Sequence, residues 1–203
     1  MRTAFCNLER ARCGALLLLL LAGCKQDEVP HLLAGLCTSL AGSGSQLTSH
    51  TDSCEADVWA SSSSLDNLGQ ALDGLYESYA LLHGPTDNCG FVATRTTVLA
   101  TAPAGIVRQA GTTAGALIRE PYGDPSGASS FQMRVTTYRG GVLQDSGVAV
   151  AGYGTDAEDY YGVATTREYD AIELEFEVSG VWGPGDGDGP AHGDTRIYEI
   201  CTR

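Results

Sequence analysis

Glu173, Glu175 and Glu177 stand at alternate positions in this 203-residue chain and are the first residues to suggest a reaction. Glycosidic hydrolysis uses a pair of carboxylates, one kept protonated while the other stays ionised. Alternate residues of a strand share a face about 7 Å apart in common solvent, so nothing would separate two pKa values there. The pattern reads as a solvated sheet face. Nucleophilic catalysis has no better footing. His31 and His50 lie in a polar, Gly/Ser-rich stretch and His83 and His192 in loop-like segments, and no G-x-S-x-G turn presents a serine. Phosphate-loop and dinucleotide fingerprints are absent from the sequence. The reading is a binding protein, not an enzyme.

Recognition chemistry is better represented. Sugars on β-sandwiches stack a ring on an exposed aromatic side chain while polar neighbours take the hydroxyls. Trp182, just before "GPGDGDGPAHGD", is one candidate. Tyr122 is another, with Arg119 and Glu120 close by as hydroxyl partners, and Tyr153 and Tyr160 are further rings. Asp186 and Asp188 alternate like the first ligands of a calcium loop. The twelfth-position glutamate and the flanking helices are missing, so this stretch reads as a solvated loop.

The elements that must hold these residues are strands. "FQMRVTTY" alternates strictly, with Phe131, Met133, Val135 and Thr137 on one face and Gln132, Arg134, Thr136 and Tyr138 on the other. Arg139-Gly140-Gly141 supplies a turn, and "VLQDSGVAVAG" returns as the partner strand. "YDAIELEFEVSG" alternates again, with Ile172, Leu174, Phe176 and Val178 inward. "GFVATRTTVLA", "GIVRQAG" and the closing "TRIYEICT" add three more. Short alternating runs split by Gly, Pro, Asp and Ser predict an all-β antiparallel sandwich. In "ALDGLYES", Asp73-Gly74 reads as a turn pair, and in "REYD" Tyr169 buries while Asp170 fixes the start of a strand.

The N-terminus carries an address. "LLLLLLAGCKQ" (Leu16 to Gln26) is too short to span a bilayer, which takes about 20 apolar residues. Arg2, Arg10 and Arg12 precede it, and small residues follow it, as in a secretory leader. Leu21-Ala22-Gly23-Cys24 resembles the lipobox of bacterial lipoproteins. That resemblance implies that Cys24 becomes the first mature residue, its thiol carrying a diacylglycerol and its amino group a third, palmitate-type chain. Lys25 stands where an aspartate would favour the inner membrane, so the resemblance implies anchoring in the outer membrane of the cell envelope.

Cleavage after Gly23 would leave 180 residues with nine Lys and Arg against twenty-four Asp and Glu, a charge of −15. Such a chain repels nucleic acid and anionic surfaces. Cys37, Cys54, Cys89 and Cys201 would remain, an even number in an exported protein. Two disulfides are expected, with three connectivities open. The spacings contain no C-x-x-C zinc knuckle. The expected organisation is a leader over residues 1–23, a Gly/Ser-rich tether over 24–53 with a turn or two of helix in "VPHLLAGLCTSL", and a β-sandwich over 54–203.

Three stretches carry a second resemblance. "DNLGQALDGLYESYA" (Asp66 to Ala80), "VTTYRGGVLQDSG" (Val135 to Gly147) and "YGVATTREYDAIELEF" (Tyr161 to Phe176) resemble segments of discoidin-like, galactose-binding-type jelly rolls. The resemblance implies a structural Ca2+ held by Asp73, Ser78 and Glu199, with backbone carbonyls between Ala71 and Ser78 completing its six to eight oxygens. The expected function is therefore a membrane-anchored lipoprotein presenting a carbohydrate-binding sandwich. A structural or assembly lipoprotein of the envelope, with another protein as partner, is the alternative.

Overall fold

Strict alternation in the sequence becomes two faces in the structure. In this computed structural model, residues 36–52, 65–82, 94–119, 130–151, 158–179 and 195–203 are described. Phe131, Met133, Val135 and Thr137 are buried, as are Ile172, Leu174 and Phe176, while Glu173, Glu175 and Glu177 stay on the opposite, partly exposed face. The strands are β1 (Thr38–Ser39), β2 (Gln46–Asp52), β3 (Leu65–Asp66), β4 (Ala80–Leu82), β5 (Thr94–Thr101), β6 (Thr113–Arg119), β7 (Ser130–Arg139), β8 (Val142–Ala151), β9 (Glu158–Ala164), β10 (Ala171–Ser179) and β11 (Thr195–Thr202). A short 3-10 helix covers Leu68–Leu72. Among the described residues no helix is long and apolar enough to cross a membrane.

Two antiparallel sheets form, one in the order β2-β5-β10-β7-β8, the other β3-β4-β11-β6-β9 with β1 also paired to β11. The protein is an all-β antiparallel sandwich. Between the sheets lie Phe131 and Phe176, ring centroids 6.2 Å apart, with Leu174, Ile118, Ile197 and Ile200. Tyr169 is fully buried there, and Asp170 accepts the Gly140 N–H at 3.0 and 3.1 Å on its two oxygens, the strand-starting role its sequence position predicts. Gly140 and Gly141 take φ of 54° and 81° at the β7–β8 turn, angles that a β-carbon disfavours.

Three expectations are corrected. Residues placed in the tether, Thr38–Ser39 and Gln46–Asp52, are strands of the sandwich. Gln, Ser, Thr and His give β2 no apolar alternation because it is an edge strand, paired among the described residues with β5 alone. The described end of "VPHLLAGLCTSL" holds β1 instead of a helical turn. "GIVRQAG" is a connection with a single bridge between Arg108 and Tyr169, not a strand.

The register also aligns the strand ends into two poles. At the near pole, where β1 starts opposite Thr202, Thr101, Ala171 and Tyr138 lie side by side in one sheet, and Thr113 pairs with Ala164 in the other. The connections there are tied together: Ala102 N–H donates to Asp170 O and Gly111 N–H to Thr165 O, each at 2.8 Å. At the far pole β2, β4, β6, β8 and β10 all end, and β3, β5, β7, β9 and β11 all begin.

Candidate functional site

Uninterrupted alternation along β11 would put Glu199 on the same face as Ile197, inside the apolar core. The register against β6 slips instead, so that Ile197 faces Ile118 while Glu199 faces Leu117. Ile197 and Ile200 join the main core, and Tyr198 packs with Leu117 on the other side of the sheet. This bulge brings Glu199 to that outer face. One edge of β11 pairs with β4 through Ile197 and with β1 from Cys201, and the turn at Asp73-Gly74 fills the gap between them.

Glu199 is nevertheless wholly buried, beneath that turn and β1. The Gly74 N–H donates to its Oε2 at 2.9 Å, and the Ser39 hydroxyl donates to its Oε1. Burial pushes the carboxyl up to about 7, and nearby Asp73 adds to the rise, against the lowering effect of the two hydrogen bonds. Asp73 Oδ1 accepts the Leu75 N–H at 2.7 Å, and Gly74 takes φ 74°, the turn chemistry its sequence predicts. Ser78 Oγ lies 2.6 Å from Asp73 Oδ2 and 3.1 Å from the Leu75 carbonyl oxygen. The three residues assigned to a cation by resemblance thus gather around a single turn.

Among the described residues no three His, Cys, Asp or Glu side chains form one metal-binding group. The set here is two carboxylates, one hydroxyl and a carbonyl, all hard oxygen donors. That chemistry fits calcium, which accepts neutral oxygens alongside few carboxylates. It does not fit zinc.

Ser39 owes its place to the bridge beside it. Cys37 is bonded to Cys201 across 164 residues, so β1 is stapled to the last strand. Thiols paired in this way are not zinc ligands. The Tyr76 hydroxyl donates to the Cys37 carbonyl at 3.0 Å, and burial, then Glu199, raises that phenol's pKa. Cys54 and Cys89 lie outside the described residues, as does Cys24. Ser39 carried no signal of its own in the sequence, and Gly74 was legible as a turn residue but not as a donor to Glu199. Only the cysteine pairing, open until the structure, brings β1 over Glu199.

Of the proposed sugar contacts, Arg119 is described, at the last residue of β6 on the far pole, its Nη1 3.8 Å from Glu158. Tyr198 donates to that same glutamate at 2.7 Å, and burial pushes its phenol up to about 12. Trp182, Tyr122, Glu120 and Tyr153 lie outside the described residues, as do Asp186 and Asp188. Tyr160 is corrected: its ring packs on the Leu117 and Tyr198 cluster, and its hydroxyl donates to the Thr113 carbonyl at 2.6 Å. It is a structural ring.

The sheet-face glutamates have separate partners. Glu173 accepts from Tyr138 at 3.0 Å, Glu175 lies 3.8 Å from Arg134, and Glu177 lies 3.1 Å from Arg95. The sequence did not foresee a cleft of about 620 Å³ beside Glu173 at the near pole. The β5–β6 connection and the Gly140–Gly141 turn line it, together with Tyr138 and Asp170. Burial and then Glu173 push the Tyr138 phenol up to about 12.

No protein-family model matches the sequence, and no curated protein matches it. Among solved structures, a chitosan-binding module from a Paenibacillus sp. IK-5 chitosanase/glucanase resembles the chain at 12% identity and TM-score 0.41, covering 81% of this chain and 98% of that one. The family 32 carbohydrate-binding module of Clostridium perfringens NanJ, solved with galactose, does so at 14% and 0.36, covering 77% and 92%. A further C. perfringens module, solved with GalNAc-β-1,3-galactose, stands at 11% and 0.37, covering 81% and 99%.

Proposed function

We propose that the protein is an exported lipoprotein, held by acyl chains on Cys24 in the outer membrane, whose sandwich binds carbohydrate at the far pole. Trp182 and Tyr122 supply rings for a sugar to stack on, and Arg119 and Glu120 take its hydroxyls. The observation that carries this reading is the convergence of strand ends. β6 and β10 end, and β7 and β11 begin, at the pole where Arg119 sits, and Tyr122, Glu120 and Trp182 fall in the sequence between those ends. A sugar site needs aromatic and polar side chains from several segments at one place, and strand ends that share a pole support that reading.

Asp73, Ser78, Glu199 and the Leu75 carbonyl would hold a structural calcium ion, whose charge would neutralise the two carboxylates. Ser39 and the Gly74 N–H orient the buried one. The reading is of binding and not catalysis, since Glu173, Glu175 and Glu177 each face a different phenol or guanidinium on an open sheet.

A glycan array probed with the chain from Lys25 onward tests the proposal. Binding to at least one glycan, lost on Trp182→Ala or Tyr122→Ala with thermal stability unchanged, is expected. An empty array, or binding indifferent to both substitutions, would leave the protein-partner alternative.

A further inference from the structure

The exposed apolar residues of the sandwich are not scattered. Among the described residues five large ones stay exposed, and three of them lie at the near pole: Ile106 (45%), Val142 (65%) and Leu143 (54%). Ile106 lies on the β5–β6 connection, and Val142 and Leu143 directly follow the Gly140–Gly141 turn. Ile106 lines the near-pole cleft with Pro103 and Val107, and Gly140 and Gly141, next to Val142 in the chain, line it too. Aliphatic side chains at loop tips contribute nothing to the core and favour a surface that removes them from water.

The chain arrives at this same pole. β1 starts at Thr38 opposite Thr202, and Arg108 from the β5–β6 connection donates to the Ser39 carbonyl. Leu36 is twelve residues after Cys24. A linker of that length spans about 20 Å when relaxed and at most about 40 Å when extended. A body held so closely meets the surface that holds it.

Charges of both signs stand at this pole. Asp170 accepts the Gly140 N–H and Asp145 the N–H groups of Thr166 and Arg167, while Glu168 is exposed. Arg167 and Arg203 are exposed. Arg139 lines the cleft, its buried Nη1 ion-paired with Glu168 at 3.9 Å. The exposed guanidinium groups of Arg167 and Arg203 would take lipid phosphates while the aliphatic tips enter the acyl boundary.

We infer that Ile106, Val142 and Leu143 form a rim that rests on the lipid surface carrying the Cys24 anchor, which orients the far pole away from the membrane. The inference depends on the anchor reading of Cys24. To test it, the full chain made with its leader is reconstituted into vesicles of phosphatidylethanolamine and phosphatidylglycerol containing a trace of diazirine-bearing phospholipid, then photolysed and mapped by mass spectrometry. Label is expected on residues 103–107 and 140–144 and not on 95–97 at the far pole. The paired substitution Ile106→Asp and Val142→Asp should lower it about ten-fold with the N-terminal peptide unchanged in mass. An acylated Cys24 with no label on either segment overturns the rim and leaves the anchor standing. An unmodified Cys24 overturns the anchor reading, and the rim with it.

Discussion

Glu199, on the last strand, accepts a hydrogen bond from the backbone N–H of Gly74, 125 residues earlier, and does so with no exposure to solvent. A carboxyl raised to about 7 in the folded chain, against 4.5 in the unfolded, gives the fold a proton-dependent stability. That stability is fully present below about pH 4.5 and is lost as pH rises through about 7, a difference of about 3 kcal/mol. Urea midpoints measured in chelator should therefore be higher at pH 5 than at pH 8. In Glu199→Gln, whose amide keeps both hydrogen-bond partners, most of that difference should vanish.

Calcium should act in the opposite direction, because only the ionised Glu199 is a good ligand. Adding the ion at pH 8 is expected to raise the melting temperature, by about 2.7 kcal/mol of stability at a hundredfold excess over Kd. Isothermal titration should show affinity falling as pH drops below about 7. Asp73→Asn and Ser78→Ala should weaken binding at least ten-fold; undiminished binding in both would remove the ion from this turn.

How far the sequence revealed this site differs from residue to residue. Asp73-Gly74 and Asp170 were readable because a turn's chemistry is local: a short acid, a glycine and the amides one or two positions on. β7 and β10 were readable because each buries a single face. The place of Glu199 was not, since it depends on one extra residue in β11 relative to β6 and on a two-residue strand brought from far away by Cys37. β2 stayed hidden because an edge strand of polar residues shows no period. Composition alone assigned it to a tether.

Reduction of Cys37–Cys201 should cost more than a local contact. The bridge closes a loop of 164 residues, which in the chain-entropy account is about 5 kcal/mol. The Cys37→Ala/Cys201→Ala pair should therefore unfold at much lower denaturant and, with β1 released, lose calcium affinity as well. A shift in the denaturation midpoint with unchanged affinity would mean that Ser39 does not position Glu199.

Gly115 tests the packing of β6 against β9. A β-carbon there would stand 2.0 Å from the Tyr161 carbonyl oxygen and 2.6 Å from the Gly162 Cα, both backbone atoms that no side-chain rotation can clear. Gly115→Ala should thus destabilise the fold on the scale of a core truncation such as Phe176→Ala, about 3–5 kcal/mol. Chemical denaturation of both variants compares them directly.

The near and far poles acquire their opposite roles only if the mature chain starts at Cys24 and carries lipid there. Mass spectrometry of the N-terminal peptide, taken from protein isolated from membranes of a bacterial host, is the most direct test. A peptide beginning at Cys24 and heavier by a diacylglycerol plus one further acyl chain is expected. A peptide that still contains Leu21-Ala22-Gly23, or begins at Cys24 with an unmodified thiol, would contradict the account.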